Sequence, residues 1–124
     1  MALTSSATVV VVERDSAAQE LIEQTLRRRG HRVLVTSDPL EALRLGQRIR
    51  FDVLVGDVEL YWEWPSLIER LRSMQPDLRL VRISETDEQT FSELEDGVTL
   101  GRPFSLDELE HAVAQVLKRD PSVE

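Results

Sequence analysis

The amino-acid sequence predicts an α/β protein built on a single doubly wound, five-stranded parallel sheet flanked by five helices. Short runs of β-branched and apolar residues alternate with segments whose apolar residues recur at helical spacing, a pattern typical of βαβ units. The chain has 124 residues, of which 41% are hydrophobic, enough for one buried core. We therefore expect one domain over residues 1–119, followed at 120–124 by a tail or the start of a linker.

Five runs are predicted strands: residues 9–12, 32–35, 53–55, 78–83 and 98–100. The runs 9–12 and 53–55 are wholly apolar, which suits central parallel strands covered on both faces. The string RLVRI within the fourth run alternates and favours a strand with one polar side. We expect the first and third runs to be the most buried.

Capping residues predict where the first three helices begin. The first begins at Asp15 or Ser16, where SAAQ reads as a capping box. The second follows Asp38 as its cap and has Pro39 at the first helical position. The third begins near Pro65 and ends before the next proline.

Two further helices are predicted after the fourth strand. A short one has only Phe91 and Leu94 as apolar anchors, and the last opens with the capping box SLDE. The side chains predicted to face the core are Ala18, Leu21, Ile22 and Leu26 in the first helix, Leu67, Ile68, Leu71 and Met74 in the third, and Leu106, Leu109, Val113 and Val116 in the fifth.

Composition excludes several classes of function. The chain has no cysteine, so it can form neither a disulfide framework nor a thiolate metal site. A net charge of -8 disfavours direct binding to nucleic acid. The amino-terminal residues lack the pattern of a signal peptide or membrane span. We expect a cytoplasmic protein that contacts neither membrane nor nucleic acid directly.

Known enzyme signatures are also missing from the sequence. It has no G-x-G-x-x-G string for a dinucleotide, and ERDS after the first strand lacks the glycine and hydroxyl donors of a flavin phosphate loop. No nucleophile and base stand together at the strand ends, and His31 and His111 are predicted to be surface residues. We expect no organic cofactor and no independent enzymatic activity.

Charged and hydroxyl side chains follow the predicted strands at their carboxyl ends, where doubly wound folds bind their ligands. These residues are Glu13, Arg14 and Asp15 after the first strand, Asp57 after the third, Ser84 after the fourth, and Arg102 with Pro103 after the fifth. An aspartate at a strand end is often only a turn former. The combination of these residues at successive strand ends, more than any one of them, indicates a site.

The strings VVVVERD, VLVGD, RIS and GRPF resemble, in this order and spacing, the receiver domain of bacterial two-component response regulators. The resemblance covers nearly the whole chain and implies a flavodoxin-like, receiver-type fold. It implies that Asp57 is the phosphoacceptor, that Ser84 matches the phosphate-binding hydroxyl, and that Arg102 and Pro103 match a Lys-Pro pair. It also implies a histidine kinase or phosphotransfer protein as partner, and an output domain or partner protein downstream.

The chain departs from the family at the metal-binding acids. Glu13 matches the first acid of the Mg²⁺-binding pair, but Arg14 stands where the second belongs. Asp15 is predicted to cap the first helix instead. The resemblance therefore implies a weak or absent Mg²⁺ site in which Glu13 and Asp57 are the remaining ligands. Glu59 either pairs with Arg14 or holds a metal, and Arg14 either contacts Asp57 or Glu59 or points to solvent.

Other departures affect the surroundings of the site. Arg102 keeps the positive charge of the family's lysine, but its guanidinium is planar and bulkier. Tyr61, Trp62 and Trp64 form an aromatic cluster that either contacts a partner, covers the pocket or packs on the third helix. Thr99 stands where the family usually has an aromatic residue that moves on activation.

Two functions stay open from the sequence. One is a response regulator receiver-like domain in two-component phosphorelay signalling, a phosphoprotein modified at Asp57 with weakened Mg²⁺ dependence. The other is a pseudo-receiver that keeps the fold as a phosphorylation-independent protein-protein interaction module. Arg14 favours the second function, whereas Asp57, Ser84 and Arg102 favour the first.

Overall fold

The computed structural model describes residues 7–57, 64–84, 91–94, 97–101 and 104–118. Within these ranges the strands are β1 (Thr8–Val12), β2 (Arg32–Thr36), β3 (Val53–Asp57), β4 (Arg79–Ser84), β5 (Phe91–Leu94) and β6 (Gly97–Gly101). The helices are α1 (Ser16–Arg28), α2 (Pro39–Arg48), α3 (Trp64–Met74) and α4 (Leu106–Lys118).

The strands form one sheet in the order β2-β1-β3-β4-β6-β5. Five of them, all but β5, are paired in parallel, which confirms the predicted doubly wound parallel sheet. Each predicted strand run overlaps one of these five strands. The chain order reverses at β1, which lies between β2 and β3, so the carboxyl ends of β1 and β3 flank the switch point of the sheet.

The predicted short helix at Phe91 and Leu94 is wrong, because these residues belong to β5, which pairs antiparallel with β6. The described chain therefore has four helices and a sixth strand. Two apolar anchors are too few to hold a helix against the sheet, whereas β6 offers a full ladder of backbone partners. The string EDG, which follows Leu94 and ends at the first residue of β6, contains Asp-Gly, a dipeptide that favours a hairpin connection.

The core has two layers, one on each face of the sheet. The first cluster includes Val9 and Val11 and packs against α1 and α4, while the second includes Val10 and Val12 and packs against α2 and α3. The valines of β1 and residues 53–55 of β3 are all 0% exposed, so the predicted burial of the first and third runs is confirmed. Among the described residues, no helix is both long and apolar enough to cross a membrane.

The helix caps largely follow the predictions. The Asp15 carboxylate accepts from the amide of Ala18 at 2.8 Å, and that of Asp38 accepts from the amide of Leu40 at 3.0 Å. The SLDE capping box is present, because the Ser105 hydroxyl and the Glu108 carboxylate each accept from the other residue's amide. The SAAQ capping box is wrong, since the side-chain Nε2 of Gln19 donates to the backbone carbonyl of Glu13 and does not act as a capping acceptor.

Three side chains predicted to face the core are exposed. Leu21 is 53% exposed, because the buried face of α1 is formed by Ile22, Thr25 and Leu26 instead. Met74 and Leu106 are 37% and 38% exposed because they lie at the last turn of α3 and the first turn of α4. The other predicted inward residues of α3 and α4 are buried.

Two side chains fix the start of β1. The amide of Ala7 donates to Nδ1 of His31 at 3.2 Å, and the amide of Thr8 donates to the Asp52 carboxylate at 2.9 Å. His31 is half-buried, so its prediction as a surface residue is wrong, whereas His111 is exposed as predicted. Burial and the charge of Arg29 lower the pKa of His31, against a smaller opposite effect of Asp52.

We expect the free energy of unfolding to fall as the pH decreases through 6.5, the ordinary pKa of His31. The lowered pKa means that the unfolded chain binds the proton first, so the contribution is complete above that pH and is lost below it. Urea melts between pH 7.5 and about 5 measure this slope. His31→Gln, whose amide oxygen can still accept from Ala7, should flatten it, and His111→Gln should not. Equal slopes in wild type and His31→Gln would contradict the assignment.

Candidate functional site

The strand register brings the predicted site residues to one edge of the sheet. Val12 is paired with Gly56, so Glu13 and Asp57 follow directly at neighbouring strand ends. Asp57 is paired with Ile83 on β4, and Ser84 with Gly101 on β6. Neighbouring strands are separated by about 4.8 Å. The carboxyl ends of four parallel strands therefore form one polar edge around Asp57.

Glu13 is the best defined acidic group at this edge. It is only 4% exposed, and its carboxylate accepts from the amide of Asp15 at 3.1 Å. Its own amide donates to the carbonyl of Thr36 at 2.9 Å, and its carbonyl accepts from the Gln19 side chain. These contacts with β2 and α1 fix Glu13 beside the end of β3. Its role as a pocket residue stays a prediction.

Arg14 and Asp15 are exposed next to the buried Glu13. The capping contact of Asp15 with Ala18 confirms that this acid belongs to the start of α1. The predicted contact of Arg14 with Asp57 or Glu59 stays a prediction, because Glu59 and the Asp57 side chain lie outside the described residues.

Several other predicted residues lie outside the described ranges. These are Glu59, Tyr61, Trp62, Arg102 and Pro103. Two more are described in their backbone only: Ser84 ends β4, and Trp64 begins α3. The predicted roles of these seven residues, including the aromatic cluster as a partner surface, stay predictions.

Sequence reasoning did not single out Arg82, a charged residue inside the sheet. Arg82 lies on β4 between Gly56 of β3 and Thr99 of β6, and its side chain is half-buried. The sequence does contain a signal, namely an arginine within a predicted strand. The alternation of RLVRI favours placing this arginine on a polar side of the sheet. The order of the sheet makes β4 an interior strand, where such a charge is unusual.

The sequence departs from a conventional divalent metal site at one position of this edge. Mg²⁺ prefers several carboxylate and carbonyl oxygens, and the second acid of the expected pair is Arg14. In the described part of the chain, no three Asp, Glu, His or Cys side chains cluster in a way that could hold a metal ion. The guanidinium of Arg14 adds a positive charge where a metal ligand is expected.

A cavity of about 270 Å³ lies at the opposite end of the sheet, where α2 and α3 end. Its wall includes Ile49, Met74 and the buried Gln75. The Gln75 side chain accepts from the amide of Phe51 and donates to the carbonyls of Gly46 and Ile49, at 2.9–3.0 Å. This polar network joins the ends of α2 and α3 to the segment before β3, at the opposite end of the sheet from Asp57, so the cavity is separate from the candidate site.

The fold is that of a flavodoxin-like, receiver-type domain, and comparisons with known proteins agree. No family model matches the chain. It is 30% identical over 124 residues to the sensor kinase CckA of Brucella abortus, covering 94% of this chain and 13% of that protein. It is 30% identical over 118 residues to the response regulator MprA of Mycobacterium leprae, covering 90% of this chain and 51% of MprA. The chain thus spans about half or less of these relatives.

Solved structures with a similar fold are also response regulators. The receiver domain of the Francisella response regulator 1452 is 27% identical, with a TM-score of 0.73 over 92% of this chain and 98% of that domain. A response regulator from Thermotoga maritima is 22% identical, with a TM-score of 0.76 over 93% and 100% of the two chains. The present chain is a receiver domain of the response regulator type.

We expect Asp57→Ala to leave the melting temperature unchanged or raise it, because the variant removes a negative charge beside the buried Glu13. The matched control is Asp52→Ala at the other end of β3, which removes an acceptor for the Thr8 amide and should cost about 1 kcal/mol. Thermal melts compare the melting temperatures of both variants with that of the wild type. A loss at Asp57 as large as that at Asp52 would make Asp57 a structural partner of a neighbouring arginine.

Proposed function

We propose that this chain acts as a receiver module in two-component phosphorelay signalling, with Asp57 at the phosphoacceptor position and a weakened dependence on Mg²⁺. The observation that supports this most directly is the strand register. It places Asp57 at the end of β3, level with Glu13 on one side and beside β4 on the other. No second acidic residue of the described chain ends a central strand in this way.

The chemistry of phosphoryl transfer explains the residues at this edge. An aspartate that attacks a phosphohistidine must approach a group that is already anionic. Hydrogen-bond donors and cations must offset that charge as it spreads over the phosphoryl oxygens. Under the proposal the Ser84 hydroxyl donates to one oxygen and Arg102 neutralises another.

Arg14 is the reason to propose a weakened Mg²⁺ dependence. Its positive charge follows the buried Glu13 directly, so it repels a divalent ion from the one well-fixed carboxylate of the β1 end. A guanidinium can instead bind phosphoryl oxygens or pair with the acceptor carboxylate. The first contact would assist transfer without a metal, whereas the second would inhibit it.

The alternative function is a pseudo-receiver that binds a partner without being phosphorylated. The poor fit of the donor set to a metal favours this alternative, since Arg14 replaces an acid where charge compensation is needed. Under it, Tyr61, Trp62 and Trp64 would form the partner surface after β3. Neither function makes the chain an independent enzyme.

The proposed partners follow from the relatives. A histidine kinase or phosphotransfer protein would supply the phosphoryl group in the cytoplasm, and an output domain or partner protein would respond. The relatives include a sensor kinase and the DNA-binding transcriptional regulator NtrC of Azospirillum brasilense, of which this chain spans 24%. With a net charge of -8, the chain itself is unsuited to contact DNA.

We expect acetyl phosphate to label the wild-type chain slowly, at a rate that changes little when Mg²⁺ is added. Arg14→Asp restores a metal ligand and should label about tenfold faster with Mg²⁺ than without it, while Asp57→Asn should not be labelled. Intact-mass spectrometry follows the phosphoryl adduct over time. Arg28→Asp makes the same charge change at an exposed position at the end of α1 and serves as the control.

Rapid, Mg²⁺-dependent labelling of wild-type Asp57 would contradict the weakened metal dependence. Labelling of the wild type that is unaffected by Asp57→Asn would contradict the acceptor assignment. Absence of labelling in the folded wild-type and Arg14→Asp chains would favour the pseudo-receiver.

A further inference from the structure

The amino-terminal ends of the parallel strands form a basic end of the molecule, opposite the candidate site. The helices return the chain to this end, so the last turns of α1 and α2 lie beside the starts of β2 and β3. The exposed basic side chains of this end include Arg28, Arg32, Arg48 and Arg50. Exposed positive charge is therefore gathered at one end of a chain whose net charge is -8.

Little of this positive charge is neutralised by acidic side chains. Arg32 and Arg48 form no ion pair with another residue that the structure describes. Arg50 contacts Asp77 at 3.5 Å, but the two side chains are 74% and 73% exposed, and such a pair is weak in water. A second acid, Asp52, is half-buried and accepts a backbone hydrogen bond. The surface can therefore attract an acidic partner.

The cavity at the ends of α2 and α3 opens among these charges. Arg48 and Arg50 line it together with Ile49 and Met74, which are both 37% exposed. Its volume of about 270 Å³ is small for a drug-sized ligand but holds one large apolar side chain. Met and Arg are enriched in protein–protein interfaces, and a pocket that takes an apolar anchor is typical of their centres.

The walls of this cavity are fixed by Gln75. Its buried side chain forms hydrogen bonds of 2.9–3.0 Å with the backbone of Gly46, Ile49 and Phe51, which tie the end of α2 to α3. The helices are in close contact there, because a Cβ atom at Gly46 would lie 2.7 Å from Cδ2 of Leu71. A pocket that is already formed costs less conformational entropy to fill.

Arg32 extends the basic surface beyond the cavity. β1 lies between Arg32 and Asp52, so their Cα atoms are about 10 Å apart, two strand spacings. Arg32 is on the same face of β2 as Leu34, which packs against the core cluster covered by α2 and α3. Its exposed side chain therefore begins on the face of the sheet where the cavity lies.

We propose that this basic end docks an acidic, extended segment of a partner protein that carries one large apolar side chain. The apolar side chain enters the cavity between Ile49 and Met74, and the carboxylates beside it pair with Arg32, Arg48 and Arg50. The docking surface is at the opposite end of the sheet from the candidate site. Docking therefore goes beyond the proposed function and does not depend on phosphorylation.

The balance of charge favours a protein segment over a nucleic acid or an anionic membrane. Both of these present negative charge over a wide area, which the acidic remainder of the chain repels. A short acidic segment meets only the basic end. It also supplies the apolar side chain that the cavity fits, which a phosphate backbone lacks.

Titration with short peptides tests this docking on the full chain. The first peptide is an acetylated and amidated heptapeptide of glutamates with a central phenylalanine, and NMR follows the backbone amide signals of Gly46, Ile49 and Gln75. We expect saturable shifts at peptide concentrations up to about 1 mM, weakened by added salt. The same peptide with a central alanine should bind about tenfold more weakly. A peptide with lysines in place of the glutamates should not bind.

Matched variants separate charge from apolar contact. Arg48→Gln combined with Arg50→Gln should weaken binding of the first peptide about fivefold. Arg14→Gln, which removes an exposed arginine at the opposite end, should change it by less than about twofold. Met74→Gln should remove most of the preference for phenylalanine over alanine. Its control is Leu106→Gln, since Leu106 is 38% exposed at the start of α4, and this variant should keep the preference.

Several results would overturn the proposal: no saturable shifts with the first peptide, equal binding of the lysine or alanine peptide, or an equal loss in Arg14→Gln. Binding of the wild type to phosphatidylserine vesicles at a salt concentration at which the first peptide no longer binds would identify a membrane as the partner instead, and would also overturn it. The dispersion of the amide spectrum reports whether each variant is folded. If the double variant does not fold, Arg32→Gln, a change at an exposed position, takes its place.

Discussion

The parallel register of β1, β3 and β4 is the constraint on which the site depends. Pairing of Val12 with Gly56, and of Gly56 with Arg82, sets which side chains meet at the carboxyl edge of the sheet. A shift by one residue would turn every side chain of a strand to the opposite face. The apolar residues of these three strands are packed on both faces, so such a shift would move each core side chain into the opposite layer and disrupt the packing of both layers.

The same register places opposite charges in a small region. Glu13 is buried and tied to β2 and α1 by hydrogen bonds, whereas Arg14 is exposed and Arg82 is half-buried. Acidic groups at such an edge usually call for a cation, and under the proposal arginine supplies positive charge that a metal would otherwise bring. A guanidinium binds oxyanions through directed N–H donors and has no lone pair to offer a metal ion, so it favours anion binding over metal binding.

The buried strands and the helix caps could be predicted from the sequence, because each depends on residues that are close together in the chain. The burial of residues 9–12 follows from an unbroken apolar run, and the caps at Asp15 and Asp38 follow from the residues next to them. The strand and both caps are confirmed. The strand β5 and the placement of Arg82 were missed, because each depends on which strand lies beside it. Two apolar residues can anchor a helix or a strand, and only pairing with β6 decides between them. Leu21 was misassigned for a related reason, since Thr25 takes its place in the buried face of α1.

The central claim is that Arg14 replaces a metal ligand beside Asp57. A Mg²⁺ titration followed by the fluorescence of Trp62 and Trp64, which are the two tryptophans of the chain, tests it most directly. The account predicts no saturable change in the wild type at low millimolar Mg²⁺ and a saturable change in Arg14→Asp. Saturation of the wild type in the low millimolar range or below, with no gain in Arg14→Asp, would contradict it.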